Sequence, residues 1–260
     1  MELIKALILA ITSHLPAPAV AGLEMLVGDQ CAATLTTLKG NLPACTSLLM
    51  SKVVGLGIVV FASIIKLPQI GKMLASQSAE GISLSGYVFE TLGYFITLSY
   101  SIHHGFPFST YGEVLFLAIQ NVIVTMLVCV YSHAGHLSTF YIAVGFAGVG
   151  VALFGPQEMV SLHQLAYLQA FAAIPLSLTS KIPQLLQNHR QQSTGQLSAL
   201  TVFSYLAGSA ARVFTTLAEI DDALTLFGTA AAFLLNLGLA VQMIMYWAPG
   251  PKASMGKKTQ

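Results

Sequence analysis

The chain has 260 residues, of which 55% are hydrophobic and 8% charged, with a net charge of +1. An average soluble domain is about 25% charged, and eleven basic plus ten acidic residues cannot clothe a soluble fold of this length. Composition therefore argues against a soluble enzyme, a nucleic-acid binder and a disordered chain, and leaves a multi-spanning membrane protein.

The first 49 residues form a lumenal or interfacial segment. Ala6–Ile11 after Lys5 reads either as a short signal-peptide core, with Ala19-Val20-Ala21 as a cleavage site, or as an uncleaved interfacial segment broken by Pro16 and Pro18. The second reading is preferred because the apolar core is at the short limit for a signal. Cys31 and Cys45 share this segment and stand either as a disulfide or as two free thiols, since spacing alone does not decide. Cys129 falls inside a span and reads as packing.

Seven apolar stretches follow, each long enough for a helical span. They run from Met50 to Ile70, Leu84 to His103, Gly112 to Tyr131, Ser138 to Gly155, His163 to Leu186, Leu200 to Ala218 and Ala223 to Trp247. Period-two alternation, the mark of a membrane β-barrel, is missing from them. Lys66, Lys72, Lys181, Arg190, Lys252, Lys257 and Lys258 gather on one side, and Lys5, Lys39 and Lys52 on the other. The positive-inside rule then predicts a lumenal N-terminus and a cytosolic C-terminus.

The chain also carries an internal duplication. Ser63-Ile-Ile-Lys-Leu-Pro-Gln69 resembles Leu178-Thr-Ser-Lys-Ile-Pro-Gln184, so that Lys66, Pro68 and Gln69 recur 115 positions later as Lys181, Pro183 and Gln184. Ser78, Ser83 and Gly93 recur at the same offset as Ser193, Ser198 and Gly208. Three spans, a linker span and three spans keep both repeats in one orientation, related by an axis along the membrane normal. The implied boundaries are 50–131 for the first repeat, 132–162 for the linker helix and loops, 163–247 for the second repeat and 248–260 for a cytosolic tail. Pro68 cannot donate to the Ile64 carbonyl, nor Pro183 to that of Thr179, so each site is either a hinge or a helix terminator. Gln69 and Gln184 stand ready for the freed backbone groups, and Pro175 frees the Phe171 carbonyl deeper in the fifth span.

A duplicated Pro-Gln at the cytosolic end of a span, in a three-one-three pattern, resembles the PQ-loop superfamily of SWEET sugar transporters and the lysosomal cystine transporter. The resemblance implies an all-α membrane protein: seven transmembrane helices as two parallel three-helix PQ-loop repeats joined by a linker helix. Within the superfamily, Ser51-Lys-Val-Val-Gly-Leu-Gly57, Lys66-Leu-Pro-Gln69, Ser78-Ala-Glu-Gly81 and Phe106-Pro-Phe-Ser109 are similar to the mannose-P-dolichol utilization branch. So are Thr194–Phe203, Ala211-Arg-Val-Phe214 and Tyr246-Trp247. That branch implies an endoplasmic-reticulum membrane factor, not an enzyme, for use of dolichol-phosphate-mannose and dolichol-phosphate-glucose in N-glycan, GPI-anchor and mannosylation pathways. Its partners would be the lipid-linked sugar, membrane lipid and the glycosyltransferases of that membrane. A second reading is a facilitator of a small soluble solute.

Glu90 and Arg212 read as the charges well inside spans, where a charge needs a partner or a wet cavity. They mark either a polar pathway, with Arg212 offered to an anionic headgroup, or a structural ion pair, although a depth difference of roughly 10 Å disfavours their direct contact. Lys66 and Lys181 are further candidates for a phosphate. Asn121 and Asn236, again 115 apart, correspond to the pocket asparagines of SWEET-like proteins, or bond between helices of each bundle. The aromatic pocket of those transporters lacks its tryptophan here; the lone Trp247 reads as an interfacial anchor. His103, His104, His133 and His136 read as surface residues, and neither a metal-ligand set nor a cofactor motif is found. Glu219-Ile-Asp-Asp222 reads as a solvated lumenal loop, without the second constellation a glycosyltransferase would need. Lys257 and Lys258, fourth and third from the end, resemble a dilysine retrieval signal; otherwise they are the positive-inside charges of the seventh span.

Overall fold

The computed structural model describes residues 16–131, 135–156, 158–179, 181–194 and 198–246. Trp247, Lys252, Lys257, Lys258 and His133 lie outside the described residues, as does the His136 side chain. Every element among the described residues is helical.

Two short helices, α1 (Ala17–Val27) and α2 (Asp29–Thr37), precede the repeats. Pro16 caps α1 and Pro18 sits in its first turn, where the missing N–H costs no helical bond. Gly28, at φ 79°, makes the turn into α2. A disulfide joins Cys31 to Cys45 of α3 (Leu42–Ile64), with Cα atoms 5.1 Å apart. Val27, Ala32 and Leu35 pack with it into a small separate core.

The first repeat comprises α3, the short α4 (Leu67–Ser76), α5 (Leu84–His103) and α6 (Phe108–Tyr131). The linker α7 (Gly135–Phe154) rests on α5 and α6, with Phe95 edge-on to Phe146 and Phe154. The second repeat comprises α8 (Leu162–Leu168), a π-helical turn (Gln169–Ala173), α9 (Ile174–Thr179), α10 (Lys181–Gln191), α11 (Ala199–Glu219) and α12 (Ala223–Met245). The π turn stands just ahead of Pro175, the place where sequence required a second break.

Among the described residues, five helical segments are long and apolar enough to cross a membrane: 42–76, 108–131, 137–154, 162–191 and 223–245. The remaining two expected spans are α5 and α11, of 20 and 21 residues. They are of spanning length but carry more polar side chains, and both lie at the contact between repeats. Helix α3 packs on α11, and reciprocally α5 packs on the π turn and α9. Exchanged contacts of this kind are what a pseudo-two-fold relation between repeats produces.

Polarity is distributed inside out. Leu200 is 79% exposed, Phe171 76% and Phe61 69%, whereas Thr91, Ser99, Asn121, Thr125 and Thr215 are fully buried. Apolar side chains face outward as in a lipid solvent, and polar ones satisfy each other within.

Candidate functional site

The first Lys-Pro-Gln sequence opens the helix and restarts it. Helix α3 ends at Ile64 and α4 begins at Leu67, placing Pro68 in a first turn. The bond that Lys66 would make to Ala62 is replaced by an inserted side chain. The Lys66 N–H donates to Gln120 Oε1 at 2.9 Å, and Gln120 Nε2 donates to the Ala62 carbonyl at 2.8 Å. Gln120 thus takes the part expected of Gln69, which instead exchanges hydrogen bonds with the Tyr87 hydroxyl at 2.8 and 3.0 Å. In the second repeat Ser180 lies outside the described residues; Thr179 ends the described part of α9, Lys181 opens that of α10, and Pro183 and Gln184 lie within helix α10. The first site is no simple terminator, since ten residues of helix follow its break, and helix also runs on past Pro183.

The break aims Lys66 inward. Its ammonium lies 3.4 Å from both Glu90 oxygens, donates to Asn121 Oδ1, and sits 5.0 Å from the centre of the Tyr87 ring. The Tyr94 hydroxyl donates to Glu90 at 2.7 Å. Glu90 is therefore neutralised by Lys66 of its own repeat and does not meet Arg212.

Lys181, Tyr205 and Asn236 occupy the corresponding positions in the second repeat. Lys181 rides over the Tyr205 ring at 4.7 Å, and Asn236 Nδ2 donates to the Tyr205 carbonyl at 3.2 Å. Tyrosine replaces the carboxylate here, so the lysine meets a ring face in place of a counter-charge. Both asparagines bond within their own repeats.

Arg212 belongs to a second cluster near the other end. It pairs with Glu113 and donates to the Ser109 and Thr110 carbonyls at 3.1 and 3.2 Å. Its charge is thus already engaged, across the two repeats, rather than offered to a headgroup. Beside it, Lys52 lies 2.6 Å from Glu219, whose side chain is wholly buried. Ser51 and Ser109 also donate to Glu219. Gly55 makes this convergence possible: a Cβ there would stand 2.5 Å from the Ser109 carbonyl oxygen.

Sequence reading had missed Glu113, Lys52 and Glu219 as partners. Glu113 was hidden at a span boundary, and Glu219 was assigned to a solvated loop. That assignment is corrected by its burial and by Asp222, which caps α12 through Thr225 and accepts from the Tyr100 hydroxyl at 2.9 Å. His103 and His104 turn back on the carbonyls of Ser99 and Tyr100, at 2.9 and 2.8 Å.

Comparison with known proteins agrees with this architecture. The PQ loop repeat family matches residues 50–110 and 165–225, two stretches displaced by the same 115 positions that separate the lysines. Human solute carrier family 66 member 3 is 31% identical over 192 residues, covering 73% of this chain and 90% of that protein. A eukaryotic SWEET transporter of known structure covers 78% of this chain and 98% of its own, with a TM-score of 0.55 at 17% identity. With its two repeats, its interrupted helices and a relative of this similarity, the chain belongs to the PQ-loop repeat family of multi-pass membrane proteins.

Proposed function

We propose that the protein engages a lipid-linked sugar donor, dolichol-phosphate-mannose or dolichol-phosphate-glucose, in the endoplasmic-reticulum membrane. In this reading it binds, presents or translocates the donor for N-glycan, GPI-anchor and mannosylation pathways, alongside the glycosyltransferases that consume it. The observation that carries the reading is the inverted polarity: buried amides and hydroxyls with half-buried lysines inside two helical repeats, and an apolar exterior. Such a protein suits an amphiphile whose polyol phosphate enters between helices while its isoprenoid tail stays in lipid. The quoted motifs that resemble the mannose-P-dolichol utilization branch supply the identity of the donor. The Cys31–Cys45 disulfide supports a lumenal N-terminal segment, since such bonds persist in oxidising compartments.

Liposomes holding the purified chain and a labelled dolichol-phosphate-mannose analogue test the reading. Protein-dependent exchange of label between leaflets is expected for translocation. Saturable binding without exchange would favour presentation, and neither would reject the proposal. The second reading, facilitated passage of a small soluble solute, draws on the names of the relatives, a solute carrier and a SWEET transporter. Uptake of free mannose, glucose or cystine by the same liposomes would favour it.

A further inference from the structure

The two repeats are built alike but are not equally charged. In the first, three features close the Lys-Pro-Gln site upon itself. Glu90 neutralises Lys66, Asn121 Oδ1 accepts from it, and the Gln120 amide fills the helix break. Each feature is missing from the second repeat. Tyr205 stands where Glu90 would, and among the described residues no carboxylate pairs with Lys181. Leu235 stands where Gln120 would, so the inserted amide of the first repeat has no counterpart at that position. Asn236 has committed its amide N–H to Tyr205, which fixes its carbonyl oxygen as an acceptor. That oxygen is buried and has no partner. The lysine and the asparagine acceptor are the two halves of a bond that the first repeat makes and the second leaves open.

We propose that the second Lys-Pro-Gln site, centred on Lys181 with Tyr205 beneath it and the unpartnered Asn236 oxygen in the same repeat, is an anion subsite for a phosphate monoester or diester. The first site is closed to that role. Lys181 supplies the charge. Asn236 offers an acceptor to a hydroxyl carried by the same ligand. This assignment rests on the donor reading above but needs only its phosphate.

The test uses the full chain purified in a neutral maltoside, titrated with inorganic phosphate, a short-chain isoprenyl phosphate and a neutral alkyl mannoside. Isoprenyl phosphate is expected to bind saturably. Lys181→Gln weakens that binding by roughly tenfold or more. So does Tyr205→Glu, which gives Lys181 the carboxylate that the first repeat already has. Lys181→Arg keeps affinity within about threefold and shows that the fold survives change at this position. The neutral mannoside binds equally to all four proteins. Competition by inorganic phosphate at similar concentration identifies a free phosphate as the source, and its failure identifies a lipid headgroup. Isoprenyl phosphate binding that is unchanged in both Lys181→Gln and Tyr205→Glu overturns the subsite. Leaflet exchange of the mannose donor that persists in Lys181→Gln overturns the subsite while sparing the function. Lys181-dependent phosphate binding without donor binding or exchange overturns the function while sparing the subsite.

Discussion

Lys52 Nζ lies 2.6 Å from Glu219 Oε2, fastening the first helix of one repeat to the end of α11 in the other. The Glu219 side chain is wholly buried and also accepts from Ser51 and Ser109. Replacing it by Gln strands the Lys52 charge, and losing one partner of a buried pair costs about 3–5 kcal/mol. Thermal melting in detergent should show a large loss for Glu219→Gln. The double variant Lys52→Met, Glu219→Gln should lose less than the two single losses combined. Additive losses would mean that the two residues are not coupled.

Gln120 is the side chain that keeps the first break open. Gln120→Leu leaves the Lys66 N–H and the Ala62 carbonyl without their bonds. Each orphaned buried group costs about 1–3 kcal/mol. The Lys66 amide should then exchange with deuterium faster than in the parent protein. Unchanged protection would show that backbone bonding reseals the helix by itself.

Asp222 gives the fold an acid-sensitive joint. Burial works against its charge. The Thr225 hydroxyl and N–H, the Tyr100 hydroxyl and nearby His104 outweigh it and hold the carboxyl below its ordinary value. A depressed folded value contributes stability above the unfolded pKa of about 3.9 and loses it as pH falls through the folded one. Melting temperature should therefore drop below about pH 4 in the parent and vary less in Asp222→Asn. Parallel curves for the two proteins would remove Asp222 from the account.

The disulfide holds α1 and α2 against α3. Its loop spans 14 residues, and closing a loop of about 15 is worth about 3 kcal/mol. Cys31→Ser should make the α1–α2 segment cleavable by added protease while the rest of the helices stay protected. Resistance equal to that of the parent would mean that apolar packing alone secures the segment.

The proposed residence in the endoplasmic reticulum gives the terminal lysines a test in cells. Lys257→Ser with Lys258→Ser should let a tagged protein reach membranes beyond the endoplasmic reticulum. Continued residence there would assign retention to the spans or to a partner.

The repeat was legible in sequence because a helix break needs a particular residue: proline removes the same hydrogen bond wherever it stands, so Lys66-Leu-Pro-Gln69 and Lys181-Ile-Pro-Gln184 announce each other. Partnerships were less legible. Glu90 and Arg212 invited pairing as intramembrane charges, yet each found a partner nearer its own depth, Lys66 and Glu113. Gln120 carried no mark in the chain, since an amide becomes a helix insert only when the neighbouring helix is opened in front of it. The fold of residues 17–37 was obscured because short helices depend on what they dock against. Their docking hangs on Cys45, whose pairing spacing could not decide.

The Lys52–Glu219 contact also orders events in time. Its partners are far apart along the chain, so a ribosome delivers the lysine long before the glutamate. Glu113 likewise precedes Arg212, with the end of the first repeat, the linker helix and the start of the second repeat between them. The first repeat therefore enters the bilayer holding two charges whose mates have not been synthesised. Until α11 is made, Lys52 and Glu113 lack the partners they have in the folded chain. A chain truncated between the repeats would leave both charges without those partners permanently.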